Sequence, residues 1–150
     1  MSGKIRILII DDEESIRIAT AAILEEEGYT VDTAANGKEA IEKSNANLYN
    51  AAIIDYRLPD MEGTDLLTAL KETTPRMVKI MVTGYPSLQN AVTSVNKRAD
   101  AFLMKPVGIE TLLSTIRDLL RKQEQEQKYS ETKVAEFIET RFRSLEPKTS

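Results

Sequence analysis

Four short apolar runs in this chain stop abruptly at polar residues able to do chemistry. Residues 5–10 run into Asp11 and Asp12, 51–54 into Asp55, 77–82 into Thr83, and 101–104 into Lys105. Three carboxylates, a hydroxyl and an ammonium make a useful set if the fold gathers them. Three acids on one rim repel each other, so one must be protonated or a cation must sit among them. Mg²⁺ suits such a place, because it takes one or two carboxylates, keeps several waters, and accepts a phosphate oxygen. A carboxylate beside such an ion can act as nucleophile toward a phosphoryl group, with charge cancelled and the reacting oxygens set in line. Thr83 would then hydrogen bond one phosphoryl oxygen, and Lys105 would hold another as a point charge.

Other chemistries are excluded by what the sequence lacks. It holds no His and no Cys, which removes imidazole bases, thiolate nucleophiles, zinc sites of the usual kind and disulfides. Lys and Arg number 20 against 24 Asp and Glu, for a net charge of −4, so nothing favours direct binding to nucleic acid or an anionic membrane. No run reaches membrane-spanning length and the amino terminus does not read as a signal peptide, so neither membrane insertion nor secretion is expected. A cytoplasmic location is the expectation.

The elements that must position these residues alternate in type. The run 5–10 is short and β-branched, apolar apart from Arg6, as in a strand buried on both faces. Ile16, Ala19, Ile23 and Leu24 recur at helical spacing until Gly28, which predicts a helix over 14–27. A strand at 29–34 and a helix at 37–47 with Ala40 and Ile41 follow. Then come a strand at 51–54, a loop with Pro59 and Gly63, and a helix carrying Leu66, Leu67 and Leu70. A strand at 77–82, a helix near 87–97, a strand at 101–104 and a helix after Pro106 complete the pattern. Five strands alternating with helices predict a doubly wound α/β fold, a parallel sheet with helices on both faces. Its ligands bind beyond the carboxyl ends of the strands. Asp11, Asp12, Asp55, Thr83 and Lys105 should therefore converge.

The motifs Ile-Leu-Ile-Ile-Asp-Asp-Glu at 7–13, Ile-Ile-Asp-Tyr-Arg-Leu-Pro-Asp-Met-Glu-Gly at 53–63, Met-Val-Thr-Gly at 81–84 and Phe-Leu-Met-Lys-Pro at 102–106 resemble, as an ordered set, the receiver domains of two-component response regulators, chemotaxis regulators among them. The resemblance covers roughly residues 4–121. It implies a flavodoxin-like five-stranded sheet of order 2-1-3-4-5 and a phosphorylation-dependent signalling switch rather than an enzyme. Asp55 would be the phosphoacceptor, Asp12 with Asp11 would hold Mg²⁺ together with Asp55, and the backbone carbonyl of Arg57 would be a further ligand. Thr83 is similar to the family's switch hydroxyl and Phe102 to its responding aromatic. Lys105 would bind the phosphoryl oxygen, and the Lys105–Pro106 bond would be cis. A sensor histidine kinase or phosphotransfer protein would supply the phosphoryl group.

Simpler roles exist for these residues: Asp11 and Asp12 could cap the first helix, Thr83 could bond its own loop, and Phe102 could be core. Three departures from the family's usual residues bear on how long a phosphoryl group would last. Gly84 stands where Ala is usual and loosens the site, while Arg57 and Tyr85 occupy flanking positions that could cover it, so the sign of the change stays open. The stretch Lys97-Arg98-Ala99-Asp100 also lacks the Gly the family tends to place before its last strand. Two other functions compete with the switch. An aspartyl-nucleophile phosphatase typically has a second acid two residues beyond the nucleophile, where this chain has Arg57. An interaction module without phosphorylation would have lost an acid of the pocket, and none is lost.

Residues 1–121 are thus read as the receiver and 122–150 as a helical extension with no recognisable output domain. A single helix from about 108 to 144, unbroken or interrupted, is expected. Val134, Phe137, Ile138, Phe142 and Leu145 recur on it at helical intervals, an apolar stripe that needs the domain's own surface, a second copy or an output domain outside this sequence, so a homodimer through the last helices is one expectation.

Overall fold

The computed structural model describes residues 4–145. The first three residues and the last five, where the expected extension ends, lie outside the described residues. The chain alternates β1 (Arg6–Ile10), α1 (Glu14–Glu26), β2 (Thr30–Ala34), α2 (Gly37–Ala46), β3 (Ala51–Asp55), α3 (Gly63–Ala69), β4 (Val78–Thr83), α4 (Leu88–Asn96), β5 (Ala101–Met104) and α5 (Ile109–Leu145). The strands form one parallel sheet of order β2-β1-β3-β4-β5. This is the predicted doubly wound arrangement, in which each parallel crossover is covered by a helix.

Alternation along the strands sends side chains to two cores. Leu8, Ile10, Ala52, Ile54 and Met81 face α2 and α3 and meet Ala40, Leu66 and Leu67. Ile7, Ile9, Ala51, Ile53 and Ile80 face α1 and α5 and meet Leu24, Leu113, Ile116 and Leu120. Every residue of β3 and β4 is buried, which explains their largely apolar sequence. At roughly 25 cal/mol per Å² of apolar surface removed from water, these two layers dominate the stability of the domain.

Boundaries differ from expectation by a residue or two. β4 extends through Thr83 because that residue still pairs with Met104 of β5. α3 stops at Ala69, and Leu70, placed on the helix by its spacing, is the buried residue just after it. On α1 only Leu24 is fully buried, and Ala19 is exposed. The turn into β5 has Arg98 in the left-handed region at φ 69°, where its amide donates to Val95 O at 3.0 Å and that of Ala99 to Ser94 O at 2.8 Å. This closes α4 as a glycine would, with a non-glycine residue bearing the strain.

α5 is one uninterrupted helix of 37 residues that crosses the expected boundary at 121/122. Gln123, beyond that boundary, is buried and fastens the helix to the amino ends of two strands. Its amide nitrogen donates to the carbonyls of Asn50 at 3.0 Å and Arg76 at 2.8 Å. From Glu124 onward every described residue is exposed. Among the described residues no helix is long and apolar enough to cross a membrane.

Candidate functional site

The carboxyl ends of β1, β3, β4 and β5 place the predicted residues on one rim. Asp11 follows β1 directly and Asp55 is the last residue of β3. Thr83 ends β4, one register step beyond the Asp55–Val82 pair, and Lys105 follows β5. Asp11, Asp12 and Asp55 each offer a carboxylate oxygen within 4.8 Å of the others. Asp11 and Asp55 are buried while Asp12 is exposed, so the cluster opens on the Asp12 side. Lys105 Nζ lies 3.0 Å from Asp11 Oδ2 and 3.3 Å from Asp55 Oδ2, bridging two of the acids.

Asp11 also fills the simpler role of shaping the start of the first helix. Its Oδ1 accepts the Glu13 amide at 2.9 Å, turning the chain into α1, yet the helix cap itself is Glu13 with no side-chain bond. The same carboxylate therefore serves the turn with one oxygen and the cluster with the other. Thr83 is fully buried, and its hydroxyl accepts the Tyr85 amide at 3.0 Å, which leaves its own proton free to donate. Lys105 is tied to β4 through its amide, which donates to Thr83 O at 2.7 Å. The Lys105–Pro106 peptide is cis, and so is Thr74–Pro75. Arg57 donates its amide to Asp55 Oδ1 at 3.3 Å and lays its guanidinium 4.8 Å from the ring centre of Tyr85, so the two flanking residues meet. Phe102 pairs with Met81 and is half-buried against the α2–α3 core rather than among the acids.

The electrostatics are out of balance. Three carboxylates face one ammonium, an excess of two negative charges if all are ionised. Burial, and next the charge of Asp11, push the Asp55 carboxyl above its ordinary range despite Lys105. For Lys105, burial pulls the ammonium down, but the bond to Asp11 and the charges of Asp55 and Asp11 outweigh it and the net shift is upward. A divalent cation would neutralise the excess, and the all-oxygen donor set suits a hard ion such as Mg²⁺.

The loop after β3 is shaped by a close approach. A Cβ on Gly63 would lie 2.3 Å from the carbonyl oxygen of Asp55, and the Gly63 amide donates to Tyr56 O at 2.6 Å. Only glycine fits there, whereas a Cβ on Gly84 would make an ordinary van der Waals contact, 4.0 Å from Lys105 Cβ. Several supporting residues lie outside the set expected from the sequence. Arg17 on α1 donates to Asp11 O at 2.7 Å. Asp60 accepts the amides of Gly37 and Lys38 at 2.8 and 2.9 Å, capping α2 from a distant loop, and these bonds lower its pKa. Asn90 accepts the Tyr56 hydroxyl at 2.9 Å and donates to Tyr85 O at 3.2 Å, joining the loops after β3 and β4 to α4. Tyr56 beside Asp55 and Asp60 within the 53–63 motif were legible in the sequence. Arg17 and Asn90 act across sequence gaps that no local pattern reveals.

Residues 7–117 match the family model for the response regulator receiver domain. A receiver domain protein described as CheY-like from Methanospirillum hungatei is 49% identical, with a TM-score of 0.79 over 83% of this chain and 99% of that one. A Burkholderia pseudomallei response regulator solved with a phosphorylated aspartic acid and a calcium ion is 29% identical, with a TM-score of 0.72 over 85% of this chain and 75% of that one. The response regulator ArlR of Staphylococcus saprophyticus is 34% identical over 80% of this chain and 54% of its own length. The chain spans about half the length of curated relatives such as this one. It belongs to the response regulator receiver domain family, the phosphoaccepting signalling switches of two-component systems.

Proposed function

We propose that this chain accepts a phosphoryl group on Asp55 from a sensor histidine kinase or phosphotransfer protein. The observation that carries this is the buried Asp55 carboxylate, flanked by two further acids and bridged by Lys105. The relative from Burkholderia pseudomallei carries a phosphorylated aspartic acid, which supports the same chemistry here. Asp11, Asp12 and Asp55, with the Arg57 carbonyl, would hold Mg²⁺, which supplies charge neutralisation when bound.

An Asp55 oxygen attacks the phosphorus as the bond to the donor breaks, and the departing group takes the electron pair of that bond. Lys105 leaves its bond to Asp55 for a phosphoryl oxygen, and the Thr83 hydroxyl, keeping its proton, donates a hydrogen bond to another. Phe102, on the strand that leads into Lys105, follows the change from its half-buried position. The altered surface is then read by a partner in the cytoplasm or by a second copy through the last helices. The chain is a regulator; its own chemistry is acceptance from small donors and slow hydrolysis. Arg57 and Tyr85 stack on each other two residues beyond Asp55 and Thr83, with Gly84 between Thr83 and Tyr85; these three residues set the lifetime of the phosphoryl group.

Incubation with Mg²⁺ and acetyl phosphate, followed by intact mass, tests the assignment. Wild type gains one phosphoryl mass and Asp55→Asn gains none. Equal labelling of both would move the acceptor elsewhere.

A further inference from the structure

The face of α5 that packs on the domain continues past the domain. Leu113, Ile116, Leu120 and Gln123 are buried, and the same face runs on through Gln127, Glu131, Val134, Ile138, Arg141 and Leu145. From Gln127 these recur at spacings of four, three, four, three and four residues, the repeat of a helix that pairs with another helix. Val134, Ile138 and Leu145 are exposed, as are Phe137 and Phe142 on its flanks. The seam also forms one wall of a groove of about 540 Å³, whose opposite wall is Pro75 and Arg76 before β4.

We infer that this seam pairs antiparallel with the same seam of a second copy, about a two-fold axis near residue 136. This deepens the self-association proposed above, and does not depend on Asp55 being phosphorylated. Charge selects both occupant and direction. Most charges along this segment pair within the helix, Lys128 with Glu124, Lys133 with Glu136 and Arg143 with Glu139. Among the described residues Glu131 and Arg141, the two charges on the seam, have no ion-pair partner. In an antiparallel pair centred at 136, Glu131 faces Arg141 of the second copy and Arg141 faces its Glu131. Val134 then faces Ile138, and Leu145 reaches Gln127 at the mouth of the Pro75 groove. A parallel pair in register would oppose Glu131 to Glu131 and Arg141 to Arg141, two like-charge contacts at the seam. Arg141 already lies over its own Phe137 ring, 5.3 Å from the centre, so its charge sits at the apolar stripe.

The seam from 127 to 145 is about 28 Å long at 1.5 Å per residue, which puts the contact at the small end of stable interfaces. The dimer should therefore dissociate in the micromolar range.

Sedimentation equilibrium on the full chain, without phosphodonor, tests this directly. The mass should rise with concentration from 16.8 kDa toward twice that value. Glu131→Arg should remain monomeric at the same concentrations, and Glu131→Arg/Arg141→Glu should dimerise again. Because the chain has no cysteine of its own, direction can be read by oxidation. A mixture of Val134→Cys and Ile138→Cys should form the mixed disulfide in excess of either homodimer. A wild type that stays monomeric into the high micromolar range, a dimeric Glu131→Arg, or dominant 134–134 crosslinks would each overturn the inference. Unchanged helical circular dichroism and unchanged labelling of Asp55 in every variant separate loss of pairing from loss of fold and from failure of the phosphoacceptor assignment.

Discussion

At the carboxyl end of β4, Asp11, Asp12 and Asp55 face a single ammonium, whereas at its amino end Arg76, Lys79 and Asp100 hold one another in a closed set of bonds. Asp100 accepts the Lys79 amide at 2.8 Å and both arms of the Arg76 guanidinium, and its own amide returns a bond to Lys79 O at 2.7 Å. The buried Lys79 ammonium donates to Leu67 O at 2.5 Å. Burial, and then the Arg76 cation, lower its pKa, but its proton has a fixed acceptor. One end of the strand gives each charged group a hydrogen-bond partner, the Asp100 carboxylate for Arg76 and a buried carbonyl for Lys79, and the other leaves an acidic excess that a proton or a bound cation removes. Polar groups that support the fold find their hydrogen-bond partners within it, and the acids of the rim outnumber the cation that faces them.

Loss of an acid should therefore have opposite signs at the two ends. Asp100→Ala leaves the Lys79 amide without its acceptor and Arg76 without its pair, and should cost about 2 kcal/mol, reduced from the fully buried case because Arg76 is half-exposed. Urea unfolding measures it. A loss below about 0.5 kcal/mol, the range of ordinary surface changes, would remove the claim that this end is the braced one.

At the other end Asp55→Asn should stabilise the metal-free protein, by about 1 kcal/mol, because it removes a buried charge and with it the repulsion from Asp11, while an amide oxygen can still accept from Lys105. Mg²⁺ should then reverse the ranking. An ion that binds only the folded chain raises its stability by mass action, and the variant has lost one carboxylate ligand of three. Thermal melts of both proteins, each with and without Mg²⁺, give the comparison. If Asp55→Asn is less stable than wild type without metal, the idea of an unsatisfied rim fails.

The rim was legible in the sequence because β strands report their ends. Apolar runs at both-face burial stop where the chain leaves the sheet, so the positions of Asp11, Asp55, Thr83 and Lys105 follow from the run ends alone. The braced end was not legible, since Lys79 sits inside an apolar run and reads as an interruption, and its partner Asp100 is 21 residues away across a crossover. Burial on helices was also harder to read. Ala19 and Ile16 have the right spacing on α1, but the helix touches the sheet most fully at Leu24, where the chain turns toward β2. Arg98 shows the limit of residue preference: its left-handed φ is imposed by the need to end α4 and enter β5, which outweighs a cost of about 1 kcal/mol for a side chain at that position.

The smallest expected effect concerns water rather than charge. The acids of the rim are exposed on the Asp12 side, and the residues two beyond Asp55 and Thr83, Arg57 and Tyr85, stack on each other in the loops that follow β3 and β4. Asn90 ties those loops to α4 by accepting from Tyr56 and donating to the Tyr85 carbonyl. Tyr85→Ala removes the ring but keeps both the backbone carbonyl and the amide that bonds Thr83, so the cradle itself stays intact. Hydrolysis of the phosphorylated protein should speed up about 2- to 5-fold, equivalent to less than about 1 kcal/mol in the barrier. Gly84→Ala should act in the opposite sense, since its methyl group fits without a clash at contact distance from Lys105 and takes up room for water beside the phosphoryl group. Decay of the phosphoryl mass after removal of the donor reads both variants. Equal rates in all three proteins would assign the lifetime to the buried residues Asp55, Thr83 and Lys105 alone, and the open rim would differ from the braced end in charge but not in access.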